Sequence, residues 1–229
     1  MKLVKQPFLL FLFFALISSS SCSDDNNNST TPNPTEATYE VTFTFDWSEK
    51  NFPADYPSNP HFSPLIGWSH KDTDYLKIGT MATEGIKIMA ETGGTSTMKS
   101  ELDKMIADGE GLQSVTGSGV SGSGVGAITV EIKVNNQYPM VSLVTMVAPS
   151  PDWYVGAVNV SLLENGEFVS MKTIEELPVY DAGTDSGSTY TSPNAPTDPK
   201  ENISMFVSAP LGDGIELIGT IASVTFKKK

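Results

Sequence analysis

The chain contains no arginine, a single cysteine and two histidines in 229 residues. Each scarcity removes a class of function. Phosphate and nucleic-acid recognition favours a basic face and the two-pronged guanidinium fork. Here 27 acidic side chains stand against 14 basic ones, a formal net charge of −13, so nucleic acid is a poor partner. One cysteine allows neither an internal disulfide nor a thiolate metal cluster. The two imidazoles, His61 and His70, would need Asp72 or Asp74 to complete a zinc shell, and lone loop histidines more often hydrogen-bond locally. No Gly-x-Ser-x-Gly elbow marks a serine nucleophile. Glu175 and Glu176, adjacent on an extended segment, point to opposite faces and do not form the spaced carboxyl pair of a glycosidase. Catalysis is therefore not expected. Long apolar runs are lacking too: the stretch from Phe8 to Ile17 has ten residues, where a membrane-spanning helix needs about 20.

That short run, preceded by Lys2 and Lys5, reads as an export signal over residues 1–21. Its removal leaves twelve lysines against 27 carboxylates, a net charge of −15, which favours divalent cations and solubility. Cys22 follows Ser19-Ser20-Ser21 where a lipoprotein signal is cut and the new N-terminal cysteine acylated, although Ser19 stands where such signals usually carry a larger apolar residue. Residues 22–38 are polar and rich in Asn, Thr and Pro. They read as a lipidated cysteine followed by a disordered tether of about 20 to 25 Å. The acidic start after Cys22 resembles the export tag of some bacterial surface lipoproteins. The expected location is the outer membrane, at the cell surface, held through the lipid anchor.

About 190 residues remain, enough for one domain burying about 70% of its unfolded surface. Tyr39, Val41, Phe43, Phe45 and Trp47 alternate with polar residues, the period of a half-buried strand. Glu49 to Pro64 reads as a long loop and Leu65 to Trp68 as a short strand. Met98, Leu102, Met105 and Ile106 fall at helical spacing, with Thr97 as cap and Gly109 as stop, predicting one surface helix. Gly109 to Gly126 reads as a mobile loop. Ala127 to Val134 alternates, and Met140 to Ala148 is apolar enough for a central strand. Ile203 to Ser208 and Ile215 to Phe226 are expected to supply the last strands, with Lys227 to Lys229 a basic tail.

Asn165-Gly166 favours a tight hairpin turn. Counting outward from it places Asp152 opposite position 179, so Asp152 and Asp181 share a sheet end. Gly183 and Gly187 allow the backbone bends that would bring Asp185 back to them. Clustered carboxylates need a neutralising cation, and an all-oxygen set suits calcium. The same residues also make ordinary surface turns. Trp47, Trp68, Trp153, Tyr154 and Tyr190 either fill the core or form a sugar-stacking platform, and Trp153 and Tyr154 are candidate ligand-binding residues because they follow Asp152 directly.

Several runs together resemble the spondin-domain family. They are Ser150-Pro151-Asp152-Trp153-Tyr154-Val155-Gly156, Tyr180-Asp181-Ala182-Gly183-Thr184-Asp185-Ser186-Gly187 and Ser192-Pro193-Asn194-Ala195-Pro196-Thr197. Upstream, Tyr39 to Phe43 with Trp47-Ser48, His61 to Gly67 with His70, Gly79, and Ala90 to Gly93 follow in the family's order. The resemblance covers about residues 39 to 226. It implies an all-β fold, an antiparallel β-sandwich akin to calcium-dependent phospholipid-binding domains, with calcium held by Asp152, Asp181 and Asp185. Animal members carry stapling cysteines that this chain lacks. The resulting expectation is a calcium-binding, surface-tethered adhesion or matrix-binding module for an extracellular protein or glycan. The alternative is a carbohydrate-binding envelope lipoprotein that uses exposed aromatics.

Overall fold

The computed structural model describes residues 35–229. The expected signal, Cys22 and most of the expected tether lie outside them. Among the described residues thirteen strands and two helices follow one another as β1 (Glu36–Asp46), β2 (His61–Phe62), β3 (Ile66–His70), α1 (Glu84–Thr92), α2 (Ser96–Ala107), β4 (Gly111–Thr116), β5 (Val125–Asn135), β6 (Met140–Ala148), β7 (Trp153–Ser161), β8 (Leu163–Glu164), β9 (Glu167–Phe168), β10 (Met171–Ile174), β11 (Val179–Asp181), β12 (Ser204–Met205) and β13 (Ala222–Lys228). One sheet has the order β10-β13-β1-β5. The other runs β12-β11-β7-β6-β3-β4, with β2 also pairing β6. All these pairings are antiparallel, so the expected β-sandwich class is what the chain adopts.

β1 carries the first sheet. Tyr39, Val41, Phe43 and Phe45 are buried while Glu40 and Asp46 are exposed, the alternation of a strand with one wet face. It starts at Glu36, inside the stretch expected to be tether, and pairs with β5 from Glu36↔Asn135 to Asp46↔Val125. On its other side it pairs with β13 from Phe45↔Ala222 to Tyr39↔Lys228, and the Lys229 N–H donates to the Thr38 carbonyl at 3.0 Å. Lys227 to Lys229 therefore close the sheet and are not a free tail. On the outer face Thr173, Thr225, Thr42 and Thr129 fall in register across all four strands. Their hydroxyls bond in pairs, Thr42 with Thr129 at 3.0 Å and Thr173 with Thr225 at 3.1 Å.

The centre of the second sheet, β6 with β3 and most of β7, is buried on both faces. Val141, Leu143 and Val147 of β6 face the inter-sheet core, whereas Val144 and Met146 pack under the helices with Trp68, Ile86, Met89, Met98 and Leu102. This double burial is why β6 reads as a nearly unbroken apolar run. The helical layer is larger than the sequence suggests. α1 is capped by the Thr83 hydroxyl, which accepts the Ile86 N–H at 3.3 Å, and it ends at Gly93 in the left-handed region. In α2 the cap position is Thr95, not Thr97. Glu101 joins the two helices, accepting Tyr75 Oη at 2.9 Å, Thr83 Oγ1 at 2.6 Å and the Gly85 N–H at 2.8 Å.

The glycine-rich stretch after α2 is not all loop. Residues Gly111–Thr116 form β4 and pair with β3, and a loop occupies 117–124. A Cβ on Gly111 would meet the Trp68 ring at 2.6 Å, so this glycine seats the strand against the aromatic. The segment expected to end the fold as strands is also mostly turn: β12 spans two residues and β13 begins at Ala222.

The Asn165-Gly166 hairpin forms in the counted register, Leu163↔Phe168 and Glu164↔Glu167. It stops there. The chain then crosses to the other sheet as β10, pairs with β13, and returns as β11 beside β7. The uninterrupted hairpin expected between Trp153 and Tyr180 is thus replaced by a crossover that stitches both sheets together.

Candidate metal centre

The crossover resets the register that aligns the acidic residues. Val179↔Val155, Tyr180↔Tyr154 and Asp181↔Trp153 are the β11–β7 pairs, and the Ala182 N–H donates to the Asp152 carbonyl at 3.2 Å. Asp152 and Asp181 therefore occupy one sheet end, closer in register than the hairpin count implied.

Beyond Asp181 the chain folds back over that end through carboxylate–backbone bonds. Asp181 Oδ1 accepts the Gly183 N–H at 2.7 Å, and Gly183 takes φ 71°. Asp152 Oδ2 accepts the Thr184 N–H at 2.7 Å, the Asp185 N–H at 3.0 Å and the Thr184 hydroxyl at 3.2 Å. Asp185 Oδ1 accepts the Gly187 N–H at 2.8 Å, and its Oδ2 accepts the Ala195 N–H at 3.0 Å. Asp152 and Asp185 are buried and Asp181 is partly so. The loop also reaches the far sheet, where Tyr190 packs on Trp47 with ring centroids 5.2 Å apart, just past the C-terminal end of β1.

Electrostatics disfavour the charged forms of Asp152 and Asp181 at this end. Burial, and next the Asp181 carboxylate, push the Asp152 pKa up to about 6, against the pull of its hydrogen bonds from Thr184 and Asp185. Asp181 is raised mainly by burial, with Glu201 and Asp185 adding repulsion and the Gly183 N–H opposing. Asp152 Oδ1 is fully buried without a hydrogen-bond partner, a rare and costly condition for a polar atom. Among the described residues no three carboxylate, imidazole or thiol groups are gathered into a ready-made metal cluster. Asp152, Asp181 and Asp185 share a sheet end, and each spends oxygens on backbone donors. Their donor type and charge, and the orphaned Oδ1, fit a hard oxygen-seeking cation. Glu201, whose charge bears on Asp181, had no signal in the sequence, since it is joined to the site only through the returning loop.

The family model Spondin_N matches residues 37–212. The chain belongs to the spondin-domain family. It is similar to spondin-2 of Homo sapiens, 33% identical over 180 residues that are 76% of this chain and 53% of the relative. It is likewise similar to spondin-1 of Rattus norvegicus, 37% identical over 172 residues that are 73% of this chain and 21% of the relative. The chain thus spans about half the length of the spondin-2 relatives it matches and about a fifth of the spondin-1 relatives.

Within this spondin domain the candidate stacking aromatics are interior. Trp47, Trp68, Trp153 and Tyr154 have no exposed surface and Tyr190 is buried. Trp153 stacks on Phe206 at 3.9 Å and Tyr154 on Tyr180 at 5.0 Å. Trp153 and Tyr154 accordingly present no ring face to a sugar, and the reading of them as exposed ligand-binding residues gives way to a core role. The histidines do not meet. His61 Nδ1 bonds the Asn59 carbonyl, while the buried His70 bonds the Lys71 carbonyl through Nδ1 and Ser142 Oγ through Nε2 at 2.8 Å.

Proposed function

We propose that this spondin domain is an exported binding module, for adhesion or matrix attachment and without catalysis, whose loop end is fixed by calcium. The observation that carries the metal reading is the buried, unpartnered Oδ1 of Asp152 beside the like-charged Asp181. Calcium would neutralise Asp152, Asp181 and Asp185 and hold the 182–201 loop in one conformation. The partner would be an extracellular protein or glycan, and acylated Cys22 would anchor the chain at the outer membrane facing outward.

Thermal unfolding with excess chelator, then across a micromolar to millimolar calcium titration with magnesium as control, tests the metal. Free calcium at 100 times its dissociation constant stabilises by about 2.7 kcal/mol. The rise is expected in the natural protein and absent in Asp181→Ala. Equal midpoints in calcium and chelator would sink the reading. Anchoring is tested separately by incorporation of labelled fatty acid, expected in the natural chain and lost in Cys22→Ala.

A further inference from the structure

Of the exposed large apolar side chains, Ile78, Met81, Val125 and Met171 lie outside one groove that gathers the remaining three. Met205 is 51% exposed, Ile215 84% and Ile218 46%, and all three line one groove of about 640 Å³ beside β12, floored in part by Leu177 and Leu217. Single exposed apolar residues are ordinary, whereas a gathered set marks a contact surface. The set is also held outward by design of the backbone. Asp213 Oδ1 accepts the N–H groups of Ile215 and Glu216 at 2.8 and 3.0 Å, the Gly214 N–H donates to Val207 at 2.8 Å, and Gly214 takes φ 97°. The loop is closed by its own hydrogen bonds, so Ile215 projects from an ordered tip.

The groove borders an open sheet edge. β12 is the terminal strand of its sheet. Phe206 donates its N–H to the Val179 carbonyl at 2.8 Å and its ring lies on Trp153. In an antiparallel ladder the neighbouring pair, Met205↔Tyr180, is then of the non-bonded kind, so the Met205 N–H and C=O point away from β11. On either side the outward groups are used, since Ile203 bonds Thr80 and Gly79, and Val207 bonds Gly214. The open edge is one residue wide and flanked by an apolar groove.

Charge selects the occupant. Glu176 and Glu216 line the groove, no lysine among the described residues lines it, and the whole chain carries a formal charge of −13. A second copy would bring the same negative face against itself, and an anionic membrane would be repelled. We propose that this groove docks an extended peptide segment in which apolar side chains alternate with lysine or arginine, paired to the backbone of Met205. Alternation suits an added strand, with one face in the groove and the other toward the acidic rim. The inference rests on the reading of this domain as a binding module and not on its calcium.

The test is fluorescence anisotropy of a labelled peptide alternating isoleucine and lysine, titrated with the protein in calcium and in chelator. Saturable binding is expected in both. Ile215→Ser with Ile218→Ser should weaken it about tenfold or more, while the melting midpoint stays near that of the natural protein because both side chains are exposed. Glu176→Lys with Glu216→Lys should weaken it and favour an isoleucine–glutamate peptide instead. Absence of saturable binding, or equal affinity in the groove variants, would overturn the proposal. So would a concentration-dependent dimer, or sedimentation with phosphatidylglycerol vesicles, that the Ile215 and Ile218 changes abolish. Loss of binding in chelator alone would assign the contact to the aspartate loop and overturn it too.

Discussion

Asp181 stands directly across from Trp153 in the β7–β11 ladder, so a carboxylate at the strand end is paired with the residue that follows Asp152. The loop beyond depends on Asp152 Oδ2, which accepts three hydrogen bonds from Thr184 and Asp185. Asp152→Ala strands those buried donors and is expected to destabilise the chelated protein by about 2 to 4 kcal/mol. Asp152→Asn keeps an acceptor oxygen and should melt above it. Denaturant unfolding in chelator compares the two; equal midpoints would mean that these bonds do not hold the loop.

Close packing of β3 and β7 against β6 sets a second expectation. A Cβ on Gly67 would lie 1.9 Å from the Ser142 carbonyl oxygen, and one on Gly156 would lie 2.3 Å from that of Leu143. Both obstacles are backbone and cannot rotate away. Gly67→Ala is expected to cost about 3 kcal/mol or more, read as a loss of soluble yield or a fall in urea midpoint, with Gly219→Ala, whose Cβ would meet nothing nearer than Phe52 Cζ at 3.6 Å, as comparison.

His70 gives a pH dependence of definite sign. Burial lowers its pKa below 6.5, outweighing the Lys71 carbonyl and the Asp72 charge, which raise it. The unfolded chain therefore binds the proton more readily, and this contribution to stability is lost as pH falls through about 6.5. Asp152 acts oppositely in metal-free protein: its contribution is present below about pH 3.8 and is lost as pH rises through about 6. The measurement is accordingly a difference. Stability of the natural protein minus that of His70→Gln should fall between pH 7.5 and 5.5; a flat difference would remove His70 as the cause.

All three tryptophans are buried. Their fluorescence should be blue-shifted and shielded from iodide until the chain unfolds. Trp153→Ala is expected to cost about 3 to 5 kcal/mol through the cavity beneath Phe206. A protein readily quenched in its folded state would restore the exposed-aromatic reading.

What could be read from the sequence followed periodicity. The alternation of Tyr39 to Trp47 and the apolar run of Met140 to Ala148 report burial on one face and on two, and both became strands as expected. Asn165-Gly166 fixed its own turn and nothing further, because turn chemistry acts over a few residues while β10 is recruited by pairing with β13, over 50 positions away. α1 was hidden because a nine-residue helix offers only Ile86, Met89 and Ala90 as a buried stripe with Gly85. β4 was hidden by its glycine- and serine-rich surroundings, since it is stabilised by β3 rather than by its own propensity. That Asp152 and Asp181 share a sheet end was legible from local spacing and motif, whereas Glu201 comes to bear on Asp181 through tertiary folding alone.

The placement of β1 has a mechanical consequence. The chain enters the sheet at Glu36, runs along β1 between β13 and β5, and reaches the Trp47–Tyr190 contact at the opposite end. A pull between the N-terminal segment and anything gripping the 182–201 loop is directed along the strand. Because the ladder bonds lie across that direction, seven pairs on one side and eleven on the other are sheared together. A pull between the N-terminal segment and Lys229, which is bonded to Thr38, would instead peel β13 from β1 one rung at a time. The domain is therefore built to be strong along one axis and weak along another, and force spectroscopy from the two attachment pairs should give a higher rupture force for the first.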